Sequence, residues 1–184
     1  MDSNLYIITN ESISDDQKNF FCDNIDLKAI PEELNKNVKT HLIARKSKIA
    51  RSKKIDIENI NTSQNLFGYL CLIKRSFKDK NKKYFIISIT PYTFLAIVFL
   101  RYFKKKPFVY LRSDGYKEYK SILGLFGPII YHIMFFFGSK MSKLISCRKH
   151  ILRGENGFVV HPSQLNDKWF KDYKKININK VSLL

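Results

Sequence analysis

Residues 83–115, KYFIISITPYTFLAIVFLRYFKKKPFVYLRSDG, constrain the fold of this chain more than any other stretch. Residues 84–89 form an apolar run of β-branched and aromatic side chains, which Pro91 stops. Residues 92–102 have the length of a helix, and Pro107 precedes a second apolar run at 108–111. Two buried strands joined by a helix are the unit of a parallel sheet. Its crossover is expected to be right-handed. Ligands of open parallel sheets sit beyond the carboxyl ends of the strands. Here those ends carry Thr90-Pro91-Tyr92 and Arg112-Ser113-Asp114-Gly115, so these two loops are expected to line a site.

The rest of the chain repeats the alternation of strand and helix. Residues 5–9 (LYIIT) predict a central first strand that ends in the turn-formers Asn10, Glu11 and Ser12. Residues 13–22 read as a long polar loop, and 25–34 as a short helix in which Pro31 marks a first turn or a break. A second strand is expected at 38–44, then a basic loop at 45–54, with Ile55, Ile57 and Ile60 forming a short third strand. Ser63 is placed to cap a helix over 65–77, where Leu66, Tyr69, Leu70, Ile73 and Phe77 recur at helical spacing. Residues 116–137 read as a long helix kinked near Gly127-Pro128. Strands at 143–147 and 158–160 follow, with a polar helix or loop between them. This pattern predicts an α/β layered domain with a parallel sheet.

The chain of 184 residues suits one domain with a sizeable core. Its formal charge of +17 favours an anionic partner: acidic lipid headgroups, a phosphorylated substrate or nucleic acid. Compositional drift toward lysine is the competing explanation. Nucleic acid is disfavoured, because no interleaved aromatics and no known helical motif accompany the charge. Cys22, Cys71 and Cys147 lie far apart, without metal spacing, which points to a reduced cytoplasmic setting. The N-terminal residues lack the basic and apolar blocks of a secretory signal. Residues 121–139 are uncharged and reach the length of a membrane span. Gly124, Gly127, Pro128 and His132 within them favour a buried helix, or a helix with one apolar face on a bilayer surface. The basic cluster at 101–106, next to an apolar helix, suits peripheral contact with anionic lipid on the inner face of the cell membrane.

The chain has no phosphate-binding glycine loop and none of the common hydrolase or zinc motifs. Arg112 offers a planar fork for phosphate or carboxylate, and Asp114 can orient or deprotonate a hydroxyl. A surface pair of Arg112 and Asp114 followed by a turn glycine explains the same residues. Thr90 and Tyr92 present a hydroxyl and a ring, or simply punctuate a strand end. Glu11, at the end of a central first strand, is a second acidic candidate. Among the histidines, His41 and His132 read as core residues, and His161, after the last strand, as the functional candidate.

Taken in order, these pieces resemble a known family. The first strand with its polar end, the TPYTF turn, the FVYLRSDG strand end, the KLISC strand and FVVHPSQLNDKWF look like the N-terminal half of a family-4-type bacterial glycosyltransferase of the GT-B architecture. The resemblance covers essentially the whole chain. It implies a Rossmann-like parallel sheet with helices on both faces over residues 1–180, with 181–184 opening a second domain. It implies acceptor binding by this domain and no cofactor bound within it. A nucleotide-sugar donor is expected in the second domain, on the same or a separate chain, and the acceptor is a lipid-linked or polysaccharide glycan. Acceptor contacts would then come from Asn10, Thr90, Tyr92, Arg112 and His161, with Glu11 and Asp114 as the catalytic candidates. Relatives often keep a histidine where this chain has Arg112-Ser113-Asp114, and a glycine-rich loop where it has Asn10-Glu11-Ser12. A histidine-based role therefore does not transfer. The alternative reading is a basic, non-catalytic domain that binds a membrane or nucleic acid.

Overall fold

The computed structural model describes residues 4–160. The first third of the chain comprises β1 (Asn4–Asp15), β2 (Phe20–Cys22), α1 (Ile25–Asn35), β3 (Lys39–Lys46), β4 (Lys53–Ile55) and β5 (Asn59–Ser63). Then come α2 (Leu66–Arg75), β6 (Lys82–Ile87), α3 (Pro91–Tyr102) and β7 (Phe108–Leu111). Two helices, α4 (Gly115–Leu123) and α5 (Gly127–Met141), precede β8 (Lys143–Ser146) and β9 (Gly157–Val159). The class is α/β, as expected, with a mixed, mostly parallel sheet of nine strands. Its parallel strands lie in the order β5, β3, β1, β6, β7, β8, β9. The chain builds outward from β1 to β5, then returns to lay β6 to β9 on the other side. The reversal falls between β1 and β6. On β1, Tyr6 and Ile8 pack into one core with Tyr69 of α2, Ile97 of α3 and Tyr131 of α5. Ile7, between them, packs into a second core with Leu27 of α1. Alternate side chains of a strand point to opposite faces, so helices cover both.

The central unit forms as its sequence predicts. Thr90 caps α3 reciprocally with Thr93, and Pro91 occupies the first turn, where its missing N–H costs nothing. Five local expectations change. First, β1 does not end at Asn10. Ile8 pairs with Ile43 and Ser12 with Arg45, so β1 carries two extra residues in a bulge and continues to Asp15. Ile13 is fully buried, and β2 and β4 pair antiparallel beyond it, so the two predicted loops contribute a small flap. Second, the isoleucines at 55, 57 and 60 serve two short strands, β4 and β5, rather than one. Third, Pro31 sits inside α1, which continues past it to Asn35. Leu27 and Pro31 are its buried residues, one turn apart, so packing on the sheet offsets the lost backbone bond. Fourth, Asn65 rather than Ser63 caps α2, accepting from the Gly68 N–H at 2.7 Å. Ser63 is the last residue of β5.

Fifth, the long kinked helix is a helical hairpin. Gly124 adopts φ +62°, in the region that favours glycine. A Cβ on Gly127 would lie 1.9 Å from the Tyr119 carbonyl oxygen, and one on Gly115 would lie 2.1 Å from the Tyr131 ring. In one straight helix, residues 119 and 127 would be about 12 Å apart. Contact at 119/127 and again at 115/131 means that α5 runs back along α4. The Tyr116 hydroxyl meets His132 Nδ1 at 2.8 Å along the same seam. Residues 115–141 are long and apolar enough to cross a membrane by composition, yet they fold back on themselves.

Candidate functional site

The carboxyl ends of β1, β3, β6 and β7 meet where the strand order reverses. The bulge in β1 carries Asn10 and Glu11 there, the last part of β3 carries Arg45, the first turn of α3 carries Tyr92, and β7 leads to Arg112. The Arg45 guanidinium lies 4.7 Å from the Tyr92 ring centre. Tyr92 in turn packs edge-on to Tyr69, whose buried hydroxyl donates to the Thr9 carbonyl at 2.9 Å. Burial pushes the Tyr69 hydroxyl far above its ordinary pKa, so it stays a neutral donor. This column fixes Tyr92 and Arg45 against the bulge of β1.

Glu11 and Arg112 form a second group. Arg112 lies 3.3 Å from Asp26 and 3.8 Å from Glu11. Asn24, the cap of α1, donates its amide to Glu11 at 2.8 Å. Arg112 thus ties the end of β7 to the start of α1 and to the bulge of β1. Ser88, just after β6, holds φ +63° and donates its N–H to the Tyr110 carbonyl at 2.8 Å. A left-handed serine costs roughly 1 kcal/mol, a strain that recurs at functional sites.

Two cavities flank these groups. A polar pocket of about 470 Å³ is lined by Asn10, Glu11, Asn24, Arg45 and Arg51, among others. Asn10 Oδ1 and Arg45 Nε are buried there without a protein hydrogen-bond partner. Buried polar atoms are nearly always satisfied, so these two are exceptions on the pocket wall, and a side-chain rotation would be needed to turn either toward a ligand. Cys22 also lines the pocket, and burial pushes its thiol up to about 11. It is therefore a neutral side chain and not a nucleophile. An apolar groove of about 620 Å³ starts at Arg112 and runs over Tyr110, Phe85 and Ile145, beside Ile30 and Leu34 of α1. Among the described residues, no cluster of three or more His, Cys, Asp or Glu side chains is arranged for a metal.

Of the residues expected from sequence, Asn10, Glu11, Tyr92 and Arg112 are brought to this edge. The Thr90 hydroxyl is engaged in capping α3, bonding to Thr93. Asp114 caps α4 through the Tyr116 N–H at 3.2 Å and holds Arg153 at 3.0 Å. It lines neither cavity. His161 lies outside the described residues. Arg45 was not singled out from sequence. Its signal was present, because it follows the apolar run of β3 as Arg112 follows that of β7. The fold and this edge define a class: an α/β domain with a mostly parallel sheet and a polar pocket at the ends of its central strands. No protein-family model, no curated protein and no solved structure matches the chain.

Proposed function

We propose that this chain is the acceptor-binding domain of a glycosyltransferase, with a Rossmann-like fold of the kind that forms the N-terminal half of GT-B enzymes. One observation carries the reading. The sheet reverses its strand order between β1 and β6, and beside that reversal, at the bulge of β1 and the end of β3, lies a polar pocket lined by Asn10 and Arg45, each with an unsatisfied buried atom. Ligands of doubly wound sheets bind at such switch points. A sugar hydroxyl both donates and accepts, so it can satisfy Asn10 Oδ1 and, through its oxygen, Arg45 Nε once these side chains turn toward the pocket. The Tyr92 ring lines neither cavity and serves to hold Arg45 on the pocket wall. Glu11 is the carboxylate that orients the acceptor hydroxyl, with Arg112 holding Glu11 in place. In transfer, the bond from the sugar's anomeric carbon to the nucleotide phosphate breaks and a bond to the acceptor oxygen forms. The hydroxyl proton passes to a base, for which Glu11 is the candidate, the other carboxylate of the pocket wall, Asp23, being held by Arg51. The nucleotide-sugar is held by a second domain, on this polypeptide or another.

Ligand-observed NMR on the purified chain tests this with two panels, nucleotide-sugars and soluble glycan or short-chain lipid-linked acceptors. Acceptor signals are expected to broaden, and Arg45→Ala is expected to abolish the effect. Binding of nucleotide-sugars without acceptors would overturn the assignment. Sugar transfer by the 184-residue chain alone would overturn its half-enzyme form.

A further inference from the structure

The outer side of the α4–α5 hairpin has no cover among the described residues. Ile122, Leu125 and Phe126 at its tip are 72%, 84% and 74% exposed. Along α5, Ile129, Ile130, Ile133, Phe136 and Phe137 are exposed as well. At about 100° per residue they share one arc of roughly 120°. Tyr131, Met134, Phe135 and Gly138 fill the opposite arc and are buried against the core. So α5 is apolar all round, and only one side is used internally. A helix of this kind needs a second apolar environment.

Charge indicates which one. Residues 80–154 contain fifteen Lys or Arg and two acidic residues, Asp114 and Glu118. Between Glu118 and Glu155 there is no acidic residue at all. Asp114, at the start of α4, is paired with Arg153, and Glu118 is exposed on α4 between Lys117 and Lys120. Lys140 lies on that arc, its ammonium 3.9 Å from the Phe136 ring centre, and Lys117 and Lys120 are exposed on α4. An apolar stripe on a helix without acidic residues, beside three lysines and one glutamate, matches the boundary between acyl chains and anionic headgroups. A protein partner would require only the apolar arc. The basic surround is complementary to phosphate.

We propose that the α4–α5 hairpin lies in the plane of an anionic lipid bilayer, with the outer arc of α5 and the tip in the headgroup–acyl boundary. The hairpin fold rules against a span, since the inner arc of α5 belongs to the protein core. This docking does not depend on the sugar-transfer reading, because the Arg45 and Arg112 edge takes no part in it.

Vesicle co-sedimentation of the full chain tests the proposal, with phosphatidylcholine alone against a mixture containing phosphatidylglycerol. Binding is expected to be at least about tenfold stronger on the anionic vesicles and to weaken with salt. The pair Leu125→Glu and Phe126→Glu is expected to abolish it with unchanged circular dichroism. The control Ile49→Glu, an exposed apolar residue in another part of the chain, is expected to leave it intact. Alkaline carbonate is expected to release the protein. Absence of binding, or binding undiminished in the double variant, would overturn the proposal. So would retention in carbonate, which marks a span, or a lipid-free dimer that the same substitutions break. Loss of acceptor binding in Arg45→Ala with vesicle binding retained separates this proposal from the preceding one.

Discussion

Residues 1–79 and 80–154 are nearly equal in length and opposite in electrostatic design. The first segment carries thirteen Lys or Arg against eleven acidic residues, the second fifteen against two. Of the eight ion pairs in the described residues, seven draw their acid from the first segment. Arg112 is the point of exchange, a cation of the second segment held by Glu11 and Asp26 of the first. The contrast teaches that the overall charge is not spread by drift across the surface. The first segment is nearly neutral and internally paired, and it builds most of the polar pocket. The second is basic, with Arg112 and Arg153 as its paired cations among the described ion pairs, and it presents the apolar hairpin. On the two readings proposed above, the first segment would hold a small polar ligand and the second would meet an extended anionic surface.

The sharpest way to break this comparison is to spoil the hairpin. Gly127→Ala forces a Cβ onto the Tyr119 carbonyl, a backbone atom that cannot swing aside. The expected loss is about 3 kcal/mol, at the upper end for overpacking, read as a lowered midpoint in urea denaturation. A Gly127→Ala protein that unfolds like the unmodified one would mean that α4 and α5 are not packed as described.

Arg112, where the two segments meet, gives the next largest effect. Arg112→Ala is expected to weaken acceptor binding by about tenfold or more, as the loss of a charge-assisted hydrogen bond implies. Its ion pairs are partly exposed, so the melting temperature should barely move. In a complete enzyme, transfer should fall with it. An unchanged rate would remove Arg112 from the site and leave it as a tie between β7 and α1.

The sequence made the parallel strands legible because buried strands read as continuous apolar runs, as at Phe108–Leu111, and because Pro91 and Pro107 mark their limits. It made the pocket only half legible. Asn10 and Glu11 were expected at a strand end, and they sit instead in a bulge within β1, on the wall of the pocket. The bulge depends on pairing with Arg45 of β3, a tertiary fact that no local pattern encodes. Arg45 itself was lost within a basic run whose other members, such as Lys46 and Lys48, are solvated. The hairpin was hidden because a glycine and a proline inside an apolar stretch signal a kink and a reversal equally well. What decides is the absence of a Cβ at Gly115 and Gly127, which lets the two helices close.

Asp114 offers a finer test, since it stands at the start of the hairpin and was also expected at the catalytic centre. Asp114→Ala removes the cap of α4 and the partner of Arg153, for an expected loss of about 1 kcal/mol. Asp114→Asn keeps a capping oxygen and should restore most of that stability. If Asp114 is only structural, a complete enzyme carrying Asp114→Asn will transfer sugar at close to its normal rate. Loss of transfer at normal stability would return Asp114 to the site and draw the second segment into catalysis.

The smallest expected effect lies in the first segment, at His41. Its ring stacks on Tyr6 with centres 4.6 Å apart, and its Nε2 is buried without a partner. Burial lowers its pKa below the ordinary value near 6.5, opposed by the nearby Asp79 carboxylate and assisted by Lys39. The unfolded chain therefore binds this proton more readily than the folded one. Stability should be full above the ordinary histidine range and decline as the pH falls through it toward the lowered folded value. His41→Phe keeps a stacked ring and removes the titration, so its melting temperature should fall less than that of the unmodified protein between pH 8 and pH 5. Parallel loss in the two proteins would show that the ring gains a proton without penalty. The near-neutral segment would then lack the buried, charge-intolerant site that sets its interior apart from the basic surface opposite.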